Sequence, residues 1–581
     1  MLNENLQSFL TYIPYKMVFV GLISLFLYLT LLILIKILFP QKKLSYPLLL
    51  FGFSFLPIIS VFREGVYESG DFTIHVTRTM SFYKNLAEGI LIPRWAGELN
   101  ATFGYALFEF VYPLPYYLAS FYHFLGANFI NSVKLLLIST YISSGLTMYF
   151  WLKNHVSSRN AFLGSIFYLF APYHLVDMHF RSDIGEMTAF VFLPLSLFFI
   201  DKAIRNNSFL YKFLGGLSIA LLVLSHPALS LLGFGIITSY PIFIRRGKKL
   251  VEVLQVYISH ILGLLLSAYY WLPVFLESKY AQGAFVKINL EFYPFTSFFY
   301  SPWRYGFLFQ GPHGELAFVV GYGHWLVLAA SCYLIVSKKK RDNFFLFFFL
   351  VSLALIFLMQ GISEQIWYAV SFLTKMMLTY RPLATLALTT SALAAYISSH
   401  LKSTKLYYLL IAITVGTTIL NWGNRKNIPQ IKDDQISREI PSISASGECF
   451  WPALYLSVKE PNCFSTLPDK HIEAITGDIH IIQEKRKTTL HTYLIDTKRQ
   501  GLVKENTSYF PGWRLLINGK ERQILFSDEK YPGIITFYLN EGRNQVELVF
   551  QETQVRKYSL VITLLALFIS GFYLLLYKKR D

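Results

Sequence analysis

The chain has 581 residues, of which 54% are hydrophobic and only 15% charged, with a mean hydropathy of +0.43. That composition excludes a soluble globular protein and fits a multi-pass membrane protein. The net charge of +17 would suit nucleic acid, but the surplus sits in short loops beside apolar runs. The positive-inside rule puts it there, so nucleic acid is excluded as a partner and membrane lipids are implied.

In chain order, apolar runs long enough to cross a bilayer occupy 17–39, 45–62, 131–152, 159–175, 185–201, 210–227, 229–245, 251–273, 317–337, 343–360, 382–400, 405–422 and 558–577. This predicts about thirteen spans. The first run is too long for a signal-peptide core and lacks a small-residue cleavage site after it. Basic loops follow a strict parity: Lys42/Lys43, Lys153/Arg159, Lys202/Arg205, Arg245–Lys249, Lys338–Arg341, Lys402/Lys405 and Lys578–Arg580 all fall on one side of these spans. That side is cytoplasmic. The parity requires that the Pro/Tyr-rich stretch 106–126 does not cross. It places the N-terminus outside and predicts a cytoplasmic (inner) membrane protein whose active face is extracytoplasmic.

The fold expected is mainly α, a polytopic helical bundle over 1–422 with a first outer loop at 63–110. An extracytoplasmic β-rich domain at 423–557 precedes a C-terminal anchor, 558–581. The β assignment rests on alternating runs such as "KTTLHTYLIDT" and "GIITFYLNEGRNQVELVFQ". Asn518-Gly519 between two such runs is a hairpin signal, and the set predicts a small sandwich of jelly-roll type. Cys449 and Cys463 lie in this segment, either as a disulfide or as free thiols. Cys332 lies inside a predicted span. No Cys/His spacing suggests zinc.

The outer loops hold the chemistry. In "ESGDFTIHVTRT" Asp71, His75 and Arg78 share one face of a helix. Asp71 is placed to act as general base beside His75; the plainer account is an interfacial helix with a wet polar face. Arg94 and Trp95 follow at an interface position, and Tyr105 stands in the "GY" pair of the same loop. "APYHLVDMHFRSDIGEM" crowds Asp177, His179, Arg181, Asp183 and Glu186 into ten residues. Charges in lipid cost roughly 2.5–3.5 kcal/mol each on insertion scales, so this group must face water or itself. Arg181 either pairs structurally with Glu186 or binds a phosphate through its fork of donors. His226 sits at a span end, Glu277 closes "YWLPVFLE", His313 lies in "GPHGELAF" beyond Arg304, and Arg381 opens the span at 382.

The order "GD…H", "G-x-L-x-P-R-W", "GY", "YPLPYY", "APYH…D…R…GE", "YWLPVFLE" and "SYFPGWRLLINGK" resembles the GT-C glycosyltransferase superfamily. Within it the similarity is to the YfhO-like, or 6-pyruvoyl-tetrahydropterin synthase-related, polytopic membrane proteins. The resemblance implies a GT-C-like fold and transfer of a sugar from a polyprenyl-phosphate-linked donor to an extracytoplasmic glycan, lipid or protein acceptor. It implies that Asp71 is the catalytic carboxylate, with His75 and Glu186 beside it. Arg181 and Arg381, and behind them Arg78 and Arg94, would hold the donor phosphate. Asp177, Trp95, Tyr105, His226, Glu277 and His313 would line the substrate pocket. Some such enzymes bind a divalent cation (Mg or Mn), but the first loop lacks a tight Asp-x-Asp and no residue is assigned as a ligand. Nothing in the chain supplies the histidine zinc site of a pterin synthase. A lipid-linked glycan flippase, or a non-catalytic membrane assembly protein, is the alternative reading.

Overall fold

A computed structural model describes residues 13–41, 44–245, 247–281, 290–303, 306–311, 313–337, 342–374, 378–423, 426–437 and 467–577. The expected Cys449–Cys463 pair and Arg304 lie outside the described residues. The protein is mainly helical, with a β-rich C-terminal region.

Among the described residues, four helices are long and apolar enough to cross a bilayer: Met17–Leu38, Phe129–Leu152, Ile184–Asn206 and Gln554–Leu576. Three bent pairs raise the number to seven, counting each pair as one span. The thirteen expected spans are therefore not confirmed. Apolar runs read as single crossings break into shorter pieces. The 251–273 run is interrupted at Ser267 between helices Ile258–Leu266 and Ala268–Glu277, and the pair bends by 65°. The 405–422 run forms a helix only over Thr404–Gly416. The stretch 106–126 holds no helix long enough to cross alone: its main helix, Leu114–Phe124, has 11 residues, about 16 Å against a core of about 30 Å.

Burial sorts the spans. Only 11% of the first and 17% of the last are covered by protein, against 61% for Phe129–Leu152 and 72% for Ile184–Asn206. The outer pair shows Phe19, Ile23, Phe26 and Phe568, Phe572 to the surroundings, as lipid-facing helices do. The inner pair packs with Phe209–Ser225, Ser158–Leu169 and Pro382–His400 to form the core.

The C-terminal region is two antiparallel sheets. One has the order β4(Ile479–Lys487)-β5(Leu490–Thr497)-β10(Gly542–Phe550)-β7(Trp513–Ile517)-β8(Lys520–Arg522). The other is β3(Ile472–Ala474)-β6(Gly501–Ser508)-β9(Ile534–Leu539). Alternate residues of the inner strands, such as Tyr493 and Ile495, Val503, Phe537, and Val546 and Leu548, form a buried middle layer. The β7–β8 hairpin turns on Asn518 and Gly519, with φ of 51° and 74°. Positive φ at both centres is what a type I′ turn demands.

This sandwich sits on the first outer loop. Trp95, 1% exposed, packs edge-on to Trp513 at 5.3 Å and against Phe550 at 5.2 Å. The Thr488 amide donates to Glu88 at 2.9 Å, and the Ser508 amide to the Phe103 carbonyl at 2.8 Å. A two-residue ladder, β1(Val66–Tyr67) with β2(Asn427–Ile428), joins the start of the loop to the chain leaving the membrane domain.

Candidate active site

The loop between Ser158–Leu169 and Ile184–Asn206 folds in an unusual way. After helix Pro172–Val176 the backbone widens to a single π-turn over Asp177–Arg181 and is stopped by Ser182, a non-glycine residue at φ 56°. π-turns and left-handed non-glycine residues both cost energy and gather where a site must be aimed. The Asp183 amide closes the turn onto the Asp177 carbonyl at 3.1 Å. The Ser182 hydroxyl donates to Tyr67 Oη, 3.1 Å away, and that hydroxyl donates to the Met178 carbonyl at 3.0 Å. Asp183 then caps the next helix, accepting from the Gly185 and Glu186 amides at 3.1 and 2.9 Å. Gly185 is needed for space: a Cβ there would meet the Tyr112 ring at 2.4 Å.

The result is a cluster centred on Arg181, which is 7% exposed. Its guanidinium donates to Asp177 Oδ1, to Asp183 Oδ2 at 3.0 Å, to Glu186 Oε1 at 3.2 Å and to Tyr173 Oη at 2.8 Å. Tyr173 donates in turn to Glu186 Oε2 at 2.8 Å. Arg381, at the N-cap of helix Pro382–His400, brings a second guanidinium: its Nε donates to Glu186 Oε1 at 3.0 Å. Asp177 and Glu186 are fully buried. A buried carboxylate survives only when paired, and two arginines from separate helices supply the pairing.

The first outer loop is sewn to this cluster through its backbone. The Gly70 amide donates to the Phe180 carbonyl at 2.8 Å and the Asp71 amide to the Arg181 carbonyl at 2.9 Å. Asp71 is partly exposed and stands at the N-cap of helix Phe72–Ala87 without using its side chain as the cap. One turn on, buried His75 lies 3.0 Å from the Tyr116 hydroxyl. Burial, then the nearby Arg78, pushes His75 down to about 3, so it is neutral at pH 7. His226 caps helix Pro227–Phe243, accepting from the Leu229 amide. Burial pushes it down to about 4 against the pull of Asp183. Burial also disfavours the Asp183 charge, yet His226, Arg181 and Arg381 hold that carboxyl well below the usual carboxylate range. With His226 neutral near pH 7, the two guanidiniums do most of the holding.

Asp71, His75, Arg78, Asp177, Arg181, Glu186, His226 and Arg381 thus share one region. Arg78 is buried and acts electrostatically on His75 and Tyr112. Five other expected residues are elsewhere. Arg94 is bound to Glu109 at 3.2 Å and to the Tyr269 carbonyl at 2.9 Å. Glu277 is bound to Arg556 at 2.8 Å. They form a charge cluster at the seat of the sandwich, because a fully buried carboxylate, Glu109, must be neutralised there. Trp95 and Tyr105 belong to the same seat: Tyr105 is buried and its carbonyl accepts from the Ala96 amide at 2.9 Å. His313 is exposed, its amide bonded to Glu315. Tyr173 and Tyr380 were not expected. Arg181 lies over both rings, at 5.8 and 5.7 Å. Their signal in the sequence was a tyrosine beside the charged residues of "APYH" and "TYRP".

Among the described residues, Asp183, Glu186 and His226 place ligand-type atoms within 4.8 Å of one another. They do not suit a cation as folded. Both oxygens of each carboxylate already accept from an N–H or O–H: Glu186 from Arg181, Arg381 and Tyr173, and Asp183 from Arg181 and two amides. The arrangement is a guanidinium–carboxylate network, suited to an anion that takes over the guanidinium donors.

A helical protein with several candidate spans, a buried two-arginine site and a docked β-sandwich is the class these features define. The chain belongs to the membrane-protein family described as 6-pyruvoyl-tetrahydropterin synthase related domain, whose model matches residues 108–424. An uncharacterized protein of Lactococcus lactis subsp. cremoris is 23% identical over 264 residues, 44% of this chain and 43% of that protein. The chain thus matches less than half the length of that relative. Among solved structures, the mycobacterial arabinofuranosyltransferase AftD is similar at 13% identity and TM-score 0.44, over 67% of this chain and 27% of that one. The Archaeoglobus fulgidus oligosaccharyltransferase in its apo form is similar at 13% identity and TM-score 0.42, over 71% of this chain and 61% of that one. Likenesses this distant assign neither a site nor an activity.

Proposed function

We propose that the protein transfers a sugar from a polyprenyl-phosphate-linked donor to an acceptor hydroxyl on the extracytoplasmic face. The observation that carries this reading is the backbone bond from the Asp71 amide to the Arg181 carbonyl. It joins the residue that carries a partly exposed carboxylate to the backbone of the arginine at the centre of the cluster. Arg181 and Arg381 would exchange their Glu186 contacts for the donor phosphate oxygens. The Asp71 carboxylate would take the proton of the acceptor hydroxyl as its oxygen attacks the anomeric carbon. The new C–O bond forms as the anomeric C–O bond to phosphate breaks, and the electron pair leaves on the phosphate oxygen that the guanidiniums neutralise. One carboxylate suffices, because no covalent sugar intermediate is needed. His75, neutral and set by Tyr116, helps position the Asp71 helix. The sandwich, seated on the same loop, would present or cover the acceptor.

The test is incubation of the purified full chain with a panel of polyprenyl-linked sugars and a lipid-phosphate release assay. Wild type releases lipid phosphate with at least one donor. Asp71→Asn loses release while keeping its thermal midpoint. Full activity in that variant removes Asp71 from the role.

A second reading has its own observation. The bent pair Ser158–Leu169 and Pro172–Arg181, at 48°, carries Asp177 and Arg181 on its second arm, and broken helices bearing charge are a transporter feature. Movement of an intact lipid-linked glycan across reconstituted bilayers, with no lipid phosphate released, would favour that reading.

A further inference from the structure

The helices that frame the active site have a second end in common. Ile184–Asn206 runs from Asp183 past Asp201, Pro227–Phe243 starts at His226, and Pro382–His400 starts at Arg381. Asp201 is fifteen residues beyond Glu186, about 22 Å along the helix axis. At that far end a cavity of about 570 Å³ opens between Phe243, Asn343 and His400. This is within the range of small-ligand sites, and none of its lining residues belongs to the cluster described above.

The lining has a fixed polar arrangement over an aromatic floor. His155 Nε2 is 2.5 Å from Asp201 Oδ2 and 2.9 Å from Tyr240 Oη. Tyr240 donates to Asp201 Oδ1 at 3.0 Å. Since the tyrosine proton is spent on the carboxylate, Nε2 carries a hydrogen shared between the two, and a fully buried acid holds His155 in place. On the other wall His400 Nδ1 lies 3.0 Å from the Tyr396 carbonyl. A carbonyl only accepts, so Nδ1 is the protonated nitrogen and Nε2 is the one that can meet a ligand. Ser399 Oγ stands 3.1 Å from Nδ1 and donates its proton to the Tyr396 carbonyl at 2.6 Å. The floor is Phe344 and Tyr396: His155 lies 4.3 Å from the Phe344 ring and His400 4.7 Å from that of Tyr396.

The surrounding charge has one dominant sign. Exposed Lys153, Arg205, Arg245, Lys249, Lys402 and Lys405 lie on the connections at this end, which the sequence parity makes the cytoplasmic side. Lys248 is paired with Glu252 at 3.5 Å. The acid on the rim, Asp342, is engaged as the cap of helix Asn343–Leu358, accepting from the Phe345 amide at 2.9 Å.

We infer that this cavity is a second ligand site, for a phosphoryl-bearing anion. The basic surroundings attract the charge; Asn343, which spends one N–H on the Phe243 carbonyl, donates the other to a phosphoryl oxygen, His400 Nε2 accepts the hydrogen of a P–OH group, and the aromatic floor takes an apolar neighbour of the phosphate. The phosphoryl group comes from an anionic lipid headgroup or from a soluble phosphate. The inference does not rest on the proposed sugar transfer.

The test titrates detergent-purified full chain with dioctanoyl phosphatidate, with dioctanoylglycerol as the probe lacking phosphate, and follows binding by native mass spectrometry. Phosphatidate binds wild type at least fivefold more tightly than it binds His400→Ala or Ser399→Trp. Both positions are exposed, so both variants keep the wild-type thermal midpoint and the binding loss is not a folding loss. Competition by millimolar inorganic phosphate assigns the site to a soluble phosphate; resistance to it assigns a lipid headgroup. Equal affinity for phosphatidate in wild type and both variants, or dioctanoylglycerol binding as tightly as phosphatidate, overturns the inference.

Discussion

Arg556→Met tests the charge cluster that holds the sandwich to the membrane domain. Arg556 is fully buried at the head of the last helix. Its Nε and Nη2 donate to Glu277 Oε2 at 3.0 and 2.8 Å, and Nη2 also donates to the Pro511 carbonyl at 3.0 Å. Glu109 Oε2 is 3.4 Å from Nε and 3.2 Å from Arg94 on its other side. Methionine fills much of the volume but withdraws the charge. Glu109 keeps Arg94, whereas Glu277 keeps only the hydroxyl of Thr553. Removing one partner of a buried pair costs about 3–5 kcal/mol, most of it the stranded charge. Adding Glu277→Gln removes that charge, so the double variant should recover about 1–3 kcal/mol relative to the sum of the two singles. Unfolding in mixed micelles, followed by near-ultraviolet circular dichroism, measures all three. A single variant costing under about 1 kcal/mol, or strict additivity, refutes the idea that Arg556 neutralises Glu277.

Three further outcomes are expected. Arg181→Lys should lower lipid-phosphate release at least tenfold, about 1.4 kcal/mol, because one ammonium cannot reach Asp177, Asp183, Glu186 and Tyr173 together; unchanged release would count against the phosphate role. Trp95→Ala should cost about 3–5 kcal/mol and expose the sandwich seat, seen as faster limited proteolysis of the full chain. In the sandwich, burial disfavours the Glu505 charge, but His491 and Arg486 outweigh it and hold the carboxyl down to about 2. A depressed carboxylate stabilises the fold above its unfolded value of 4.5 and loses that effect as pH falls toward 2. The sandwich should therefore lose about 3 kcal/mol between pH 5 and pH 2, and Glu505→Gln should flatten that slope in acid titration of the full chain.

Local signals were readable wherever a few neighbouring residues decide the outcome. Asn518-Gly519 specified its hairpin through backbone sterics alone. The crowding of Asp177, Arg181 and Glu186 between apolar runs required mutual neutralisation, whatever the tertiary fold. Long-range pairing was not readable. Glu109 lies hidden in the aromatic run "ALFEFVYP", and its partner Arg556 is in the last helix, so Arg94 looked like a phosphate ligand and Glu277 like a pocket residue. Hydropathy predicts more long spans than the helices show for a related reason. It averages over Ser267 and Gly416, where backbone preferences bend or end a helix that composition alone would continue. Tyr173 and Tyr380 were not picked out because an aromatic beside a lipid interface and one beneath a guanidinium have the same sequence signature.

The order of synthesis gives the Arg556 contacts another meaning. Glu277 leaves the ribosome roughly 280 positions before Arg556, the guanidinium that neutralises it. At bacterial or eukaryotic translation speeds that interval is about 14–56 s. Through it, a carboxylate destined for a dry interior stays hydrated and its surroundings stay loose. The seat of the sandwich can close only once the final helix is in place, so a truncated product is left unfinished to the proteases that patrol the membrane.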